Sequence, residues 1–278
     1  YPSEALLAYS IPDTDLCSAT MRAYNDYIAD FCSHDTKRLK GVGLINVDDP
    51  TEAVTEMKRV RDLGLEGIMI TVLPPADRGY DHPMYEEVWS AAVDLALPVS
   101  MHVATGRSFL SASTTQTSVQ KGVTEAAFYL QDHFVRKSIG EMIFSGVFMR
   151  HPKLRVGSIE HEVCWAPFFL FQADYLYTDR PVRGDWLRFP DGTLPSDYFK
   201  QNVFMSFQED RVGIRVRDVA GIEGLMWGSD YPHTESTFPK SREITTDILQ
   251  DVPEDEKRMI LRDNAAGLYG FDLEAISQ

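Results

Sequence analysis

At 278 residues, 44% hydrophobic and 25% charged, the chain has the make-up of a soluble globular protein, enough for one large α/β domain or two ordinary ones. A net charge of −15, a pI near 4.8 and the lack of any Lys/Arg cluster argue against nucleic acid and an anionic membrane surface as partners. Cys17, Cys32 and Cys164 form no C-x-x-C pair, and no apolar run reaches the ~18 residues that span a bilayer, so a reduced cytoplasmic setting is expected.

The opening Tyr1-Pro-Ser-Glu-Ala-Leu-Leu lacks both an initiator Met and the basic region of a signal peptide, as a segment from inside a longer protein would. Residues 1–13 read as a loop punctuated by Pro2 and Pro12. Asp13 or Thr14 caps a predicted helix to about Ser33, with Leu16, Ala19, Tyr24, Tyr27, Ile28 and Phe31 on its apolar side. Residues 39–47 read as a strand, and Thr51 caps a helix to Leu63. Gly64 ends that helix, residues 67–72 form a buried strand, and Pro83 starts a helix to about Ala96.

The third strand is expected at 98–103. A Ser/Thr-rich loop over roughly 104–122 leads to a helix at about 124–149. The fourth strand is predicted at 154–160, followed by a helix from near Trp165 to Tyr177 and an irregular stretch over 178–200. The fifth strand spans 202–207 and precedes a short helix. The sixth is the run Leu225-Met-Trp227, and a last helix begins after Pro253 and ends near Gly267. Apolar strands alternating with helices predict a parallel sheet in one domain over 1–278. The longest loops follow strands, as in a (β/α) barrel. Six strands do not close an eight-stranded barrel, so either two strands lie upstream of Tyr1 or the sheet is open and doubly wound. No Walker loop, G-x-S-x-G elbow or well-placed G-x-G-x-x-G is present.

Three strands end in residues suited to metal or acid–base chemistry: His102, Glu160-His161-Glu162 and Asp230. Imidazole and carboxylate suit Zn²⁺, Mn²⁺ or Fe²⁺, and barrel sites draw ligands from several strand ends. Singly, a strand His is more often a satisfied core residue and an Asp before Pro a turn residue. Their coincidence on one face favours a site. His233, three residues after Asp230, is a candidate for the substrate pocket, with helix capping as the alternative. Arg107 is a candidate for holding a substrate carboxylate, and Trp165, Trp186 and Phe238 for walling a planar substrate, with surface and core roles the competing readings.

The stretch Met226-Trp-Gly-Ser-Asp-Tyr-Pro-His-Thr-Glu-Ser-Thr-Phe-Pro239 closely resembles the last-strand motif of the amidohydrolase-related (amidohydrolase 2) family. Met101-His102, Glu160-His-Glu-Val-Cys-Trp-Ala-Pro167 and Asn202-Val-Phe-Met-Ser-Phe-Gln-Glu-Asp210 support the likeness, which spans about residues 20–270. The resemblance implies a (β/α)8 TIM barrel lacking its first two strands in this chain. It also implies a divalent metal, zinc first and manganese or iron next, held by His102 and Asp230. The family's first-strand pair of ligands has no counterpart in residues 1–40, so the metal site of the segment is expected to be incomplete, or absent. Some relatives place a catalytic His where His161 stands, others a Glu where Glu160 stands. Glu160 shares parity with Ser158, as His102 does with Ser100, which leans towards Glu160; both are kept.

The resemblance implies a metal-dependent hydrolase of a small organic substrate, with Asp230 taking the proton of a metal-bound water and His161 or Glu160 protonating the leaving group. Two alternatives stand beside it: a non-oxidative decarboxylase of an aromatic or unsaturated acid, and a barrel that has lost its metal and its catalysis. A homo-oligomer is expected, because strands beside a gap would present bare edges.

Overall fold

The computed structural model describes residues 1–2, 4–75, 77–107, 132–179, 187–190 and 192–276. Most of the predicted loop at 104–122, the start of the helix expected at 124 and Trp186 lie outside the described residues.

Six short strands carry the architecture: β1 (Val42–Leu44), β2 (Gly67–Ile70), β3 (Val99–His102), β4 (Val156–Ile159), β5 (Val203–Phe207) and β6 (Leu225–Trp227). All neighbours are parallel and the spatial order is β1-β2-β3-β4-β5-β6. A doubly wound sheet reverses its order at a switch point. No reversal occurs here, so the open doubly wound alternative falls and the six strands form part of a singly wound (β/α) barrel.

The first helix, α1 (Thr14–Ser33), starts at Asp13, whose carboxylate accepts the Leu16 N–H at 2.8 Å. The second, α2 (Pro50–Asp62), is capped by Asp49 rather than Thr51. Pro50 occupies its first turn, where a missing N–H costs nothing, and that moves the cap two residues upstream of Thr51. A single turn at Pro83–Tyr85 leads into α3 (Glu86–Asp94). The helix expected to end at 149 is divided at Gly146, whose φ of 79° separates α4 (Asp132–Phe144) from α5 (Val147–Arg150). Downstream lie α6 (Trp165–Asp179) and α7 (Pro195–Asn202), the latter inside the stretch expected to be irregular. The predicted final helix is a chain of short pieces ending in α8, our label for Asn264–Tyr269.

Register sorts the strand side chains into two faces. His102 pairs with Ile159, Ser100 with Met69 and Gly157, Gly157 with Phe204, and Ser206 with Met226, so these residues share the concave face. Gly157 is required there. A Cβ at that position would lie 2.2 Å from the Phe204 ring, which crosses β4 at this point. The convex face (Ile68, Ile70, Val99, Met101, Val156, Val203 and Met205) packs under the helices as the main core. On the concave face, Tyr9, Cys17 and Met21 pack with Val42, Leu44 and Met69. At its other end, Ala265, Leu268 and Tyr269 pack with Ile159, Phe204 and Met226.

Side chains cap part of each outer edge of the sheet, which the expectation of an oligomer took to be bare. On β1, Asn25 from α1 donates to the Leu44 carbonyl at 3.0 Å and accepts the Leu44 N–H at 2.7 Å, as a neighbouring strand would. On β6, Asn264 donates to the carbonyls of Ile222 and Leu225, both at 2.8 Å.

Candidate functional site

The carboxyl ends of β3, β4 and β6 surround a cavity of about 330 Å³, lined by His102, Glu160 and Asp230 together with Ser206, Gln208 and Tyr269. Trp227, Phe207, Tyr1 and Tyr231 contribute aromatic wall. Backbone strain gathers at the same rim. Ala104, Glu160, Glu162 and Asp230 adopt left-handed φ values of 62°, 63°, 57° and 55°. For residues with a Cβ this costs of order 1–3 kcal/mol each and persists where surrounding structure enforces it.

At Glu160 that turn decides which residue reaches the pocket. Ser158 pairs with Met101 and so lies on the convex face; simple alternation would send Glu160 outward as well. The parity used above was therefore misassigned. The left-handed φ swings Glu160 inward, where its backbone N–H donates to Ser206 Oγ at 3.0 Å. Its carboxylate Oε2 stands 2.9 Å from His102 Nε2. His161 is left behind the strand, buried, with Nδ1 3.2 Å from Ser158 Oγ and Nε2 without a partner among the described residues. Burial, with His102 as a second contribution, pushes its pKa down to about 3 and keeps it neutral.

The His102 ring is fixed by its other nitrogen. Nδ1 lies 2.9 Å from the Val103 carbonyl, which only accepts, so Nδ1 carries a proton. Its Nε2 then faces the Glu160 carboxylate at 2.9 Å, where a proton or a metal ion would hold the two together. Asp230 completes the group. Burial first and the Glu160 charge second raise its pKa, while His233 and the Gln208 side chain oppose the rise. Its Oδ2 lies 3.1 Å from His233 Nδ1, without the alignment of a hydrogen bond. The donor set of one imidazole and two carboxylates suits a divalent ion. Among the described residues, no three His, Cys, Asp or Glu side chains converge closely enough to hold one outright.

Other candidates lie elsewhere. The Arg107 guanidinium donates to the carbonyls of Tyr9 and Ile11 and pairs with Asp48; side-chain exposures of 9% and 8% mark a buried latch. Trp165 is core, packed on Phe169 and Phe199, with its Nε1 donating to the Glu162 carbonyl. Phe238 is exposed against Tyr231, and His233 stands half-exposed beside Asp230. Ser206 and Gln208 were legible in principle, being two apart at the end of β5 inside a quoted motif. Tyr269 gave no signal, because only the fold brings the last helix beneath His102.

The family model described as Amidohydrolase matches residues 13–167 and 194–271. This chain belongs to the amidohydrolase family. A curated relative, gamma-resorcylate decarboxylase of Rhodococcus jostii (strain RHA1), is 24% identical over 294 residues, covering 95% of this chain and 80% of its own length. Among solved structures, 5-carboxyvanillate decarboxylase from Sphingomonas paucimobilis superposes with a TM-score of 0.78 at 24% identity, covering 95% of this chain and 76% of that one. The 5-carboxyvanillate decarboxylase of Novosphingobium aromaticivorans, complexed with manganese and 4-hydroxy-3-methoxy-5-nitrobenzoic acid, gives 0.77 at 22%, covering 97% and 74%. At these identities the structural likeness establishes the shared barrel fold of this amidohydrolase.

Proposed function

We propose that this amidohydrolase is a metal-dependent, non-oxidative decarboxylase of a small hydroxylated aromatic acid. The hydrolase expected first from sequence gives way, because the curated relative and the solved neighbours described above remove CO₂ from aromatic acids. The observation that carries the reading is an aromatic-walled cavity of about 330 Å³ lined by His102, Glu160 and Asp230, the first two in contact. A cavity of about 150 Å³ already admits benzene, so this one suits a single substituted ring.

His102 Nε2, Glu160 and Asp230 are the side chains that would hold a divalent cation, and the manganese of the neighbouring structure favours manganese over the zinc first expected. Such an ion, when bound, orients a carboxylate and an adjacent ring oxygen and draws charge from the ring. The remaining work falls to the chain. The aromatic walls hold the ring and exclude water. Asp230, which lines the same cavity as His102 and Glu160, is the proton donor. It protonates the ring carbon bearing the carboxylate, the bond from that carbon to the carboxylate breaks, its electron pair returns to the ring, and CO₂ leaves. Asp230 remains as carboxylate and is reprotonated from solvent, with no net redox change. His161, neutral and behind β4, takes no part in this step.

The test is CO₂ release from gamma-resorcylate by wild type and Asp230→Asn, with bound manganese and circular dichroism measured in parallel. Asn keeps the shape but donates no acidic proton, so a loss of at least 10²-fold is expected, roughly the lower end of general acid–base catalysis. A folded variant that keeps its metal and more than about a tenth of the rate removes Asp230 from this role.

A further inference from the structure

A second and larger cavity, of about 480 Å³, lies at the opposite, amino-terminal ends of the strands. Pro98 precedes β3, Arg155 precedes β4 and Glu223 precedes β6; with Lys153 and Leu268 they line it. It shares no lining residue with the upper pocket. One helix separates the two: Asn264, Gly267 and Leu268 of α8 face the lower cavity, and Ala265 and Tyr269 the upper.

Arg155 is the unusual feature. It is half-buried, and its Nε has no hydrogen-bond partner among the described residues. No described carboxylate pairs with it, in a chain carrying fifteen more acidic than basic side chains. Burial alone pulls its pKa down, with no anion to restore it. Lys153, exposed at the same cavity, likewise has no ion-pair partner among the described residues. An unpaired, partly desolvated guanidinium is costly, and its planar fork matches a carboxylate. One side of the lining is small and apolar (Ala92, Val93, Ala96, Leu97, Pro98 and Leu268), and Glu223, Asp263 and Asn264 add polar groups. The volume falls within the usual range for small-molecule sites.

We propose that this basal cavity binds a small organic carboxylate with an apolar body, its charge on Arg155 and its tail against Leu97 and Leu268. The two acidic lining residues do not compete for Arg155. Asp263 is taken by Arg258 and Arg262, and Glu223 makes no ion pair among the described residues. The site is independent of the decarboxylase reading.

Two variants of the full chain test it through separate properties, with hexanoate as the probe in low-salt calorimetry. Arg155→Met removes the charge and keeps the bulk. Because the cation is unpaired in the free protein, the fold should lose nothing. Gly267→Leu removes the space: a Cβ there meets no heavy atom within 4 Å, and a helix tolerates Leu better than Gly. Wild type should bind one equivalent of hexanoate. Arg155→Met should bind at least about tenfold more weakly, the value of a charge-assisted bond, and Gly267→Leu should show no binding. Asp230→Asn should bind as wild type does, which separates this site from the upper pocket. No heat from wild type up to about 10 mM hexanoate, or unchanged affinity in Arg155→Met, overturns the proposal. Binding of inorganic phosphate as tight as that of hexanoate overturns the apolar body.

Discussion

His102 depends on a residue that touches no pocket. The buried Thr105 Oγ1 donates to the His102 carbonyl at 2.7 Å and accepts the Val72 N–H at 2.9 Å, tying the end of β3 to the end of β2. Thr105→Val keeps the volume but strands a buried N–H, so urea unfolding should show a loss of about 1–3 kcal/mol. Thr105→Ser, which keeps the hydroxyl, should recover most of it; equal losses in both would mean the methyl, not the hydrogen bond, matters. Such a residue reads in sequence as one more Thr in a polar loop. His102 and Asp230 were legible because strand ends in a barrel face one way, whatever the details. The choice between Glu160 and His161 was not, since a φ of 63° at Glu160 cancels the alternation on which any parity argument rests. Arg107 and Trp165 were misleading for a different reason: residue type suggested a ligand contact, while a buried Asp48 and a core of Phe169 and Phe199 had prior claim on them.

The six strands could be read because each is an apolar run bounded by Gly, Pro or Asp, and burial on both faces demands such a run. The first five contracted, the first from 39–47 to Val42–Leu44, because only part of each run has a neighbour to pair with, while the sixth keeps its expected bounds. Helix junctions were less legible, since they rest on charge contacts between distant segments. Glu86, the first residue of α3, accepts from Arg150 at 2.9 and 3.0 Å and lies 2.7 Å from His151 Nε2, clamping α3 to the end of α5. The Arg150 bond foremost, with His151 assisting against the opposing effect of burial, holds its pKa below the ordinary carboxylate value. A folded-state pKa below the unfolded one stabilises above the unfolded value, and that contribution is lost as pH falls through the folded one. With both side chains about two-fifths exposed, screening limits the clamp to at most about 1 kcal/mol. Glu86→Gln should therefore lower the melting temperature near neutral pH by no more than roughly 2–4 °C. In acid, below the folded pKa, the variant and wild type should melt together; a deficit that persists there would point to lost packing instead.

At the scale of the whole molecule, the question is how a six-stranded parallel sheet that does not pair its first strand with its last, among the described residues, avoids seeking a seventh strand. Sequence suggested bare edges because it shows strands, not what lies beside them. Asn25 reads there as a polar residue in an amphipathic helix, yet it is fully buried, meets both backbone groups of Leu44 and is itself held by Glu56 at 2.7 Å. It caps the β1 edge at Leu44 as Asn264 caps the start of β6. Asn25→Leu would fill a similar volume and leave the Leu44 N–H and C=O without partners. Each stranded buried group costs about 1–3 kcal/mol, so a loss of at least about 2 kcal/mol is expected by urea unfolding. The freed groups also form a template for another strand. Light scattering after size exclusion should then show concentration-dependent association in Asn25→Leu beyond any seen in wild type. Asn25→Asp tests the donor side of the pair: its carboxylate can still accept the Leu44 N–H but faces the Leu44 carbonyl and the Glu56 carboxylate with no proton to give, so its loss should at least equal that of Asn25→Leu. If Asn25→Leu is as stable as wild type and associates no more, the β1 edge is protected by the bulk of α1 alone.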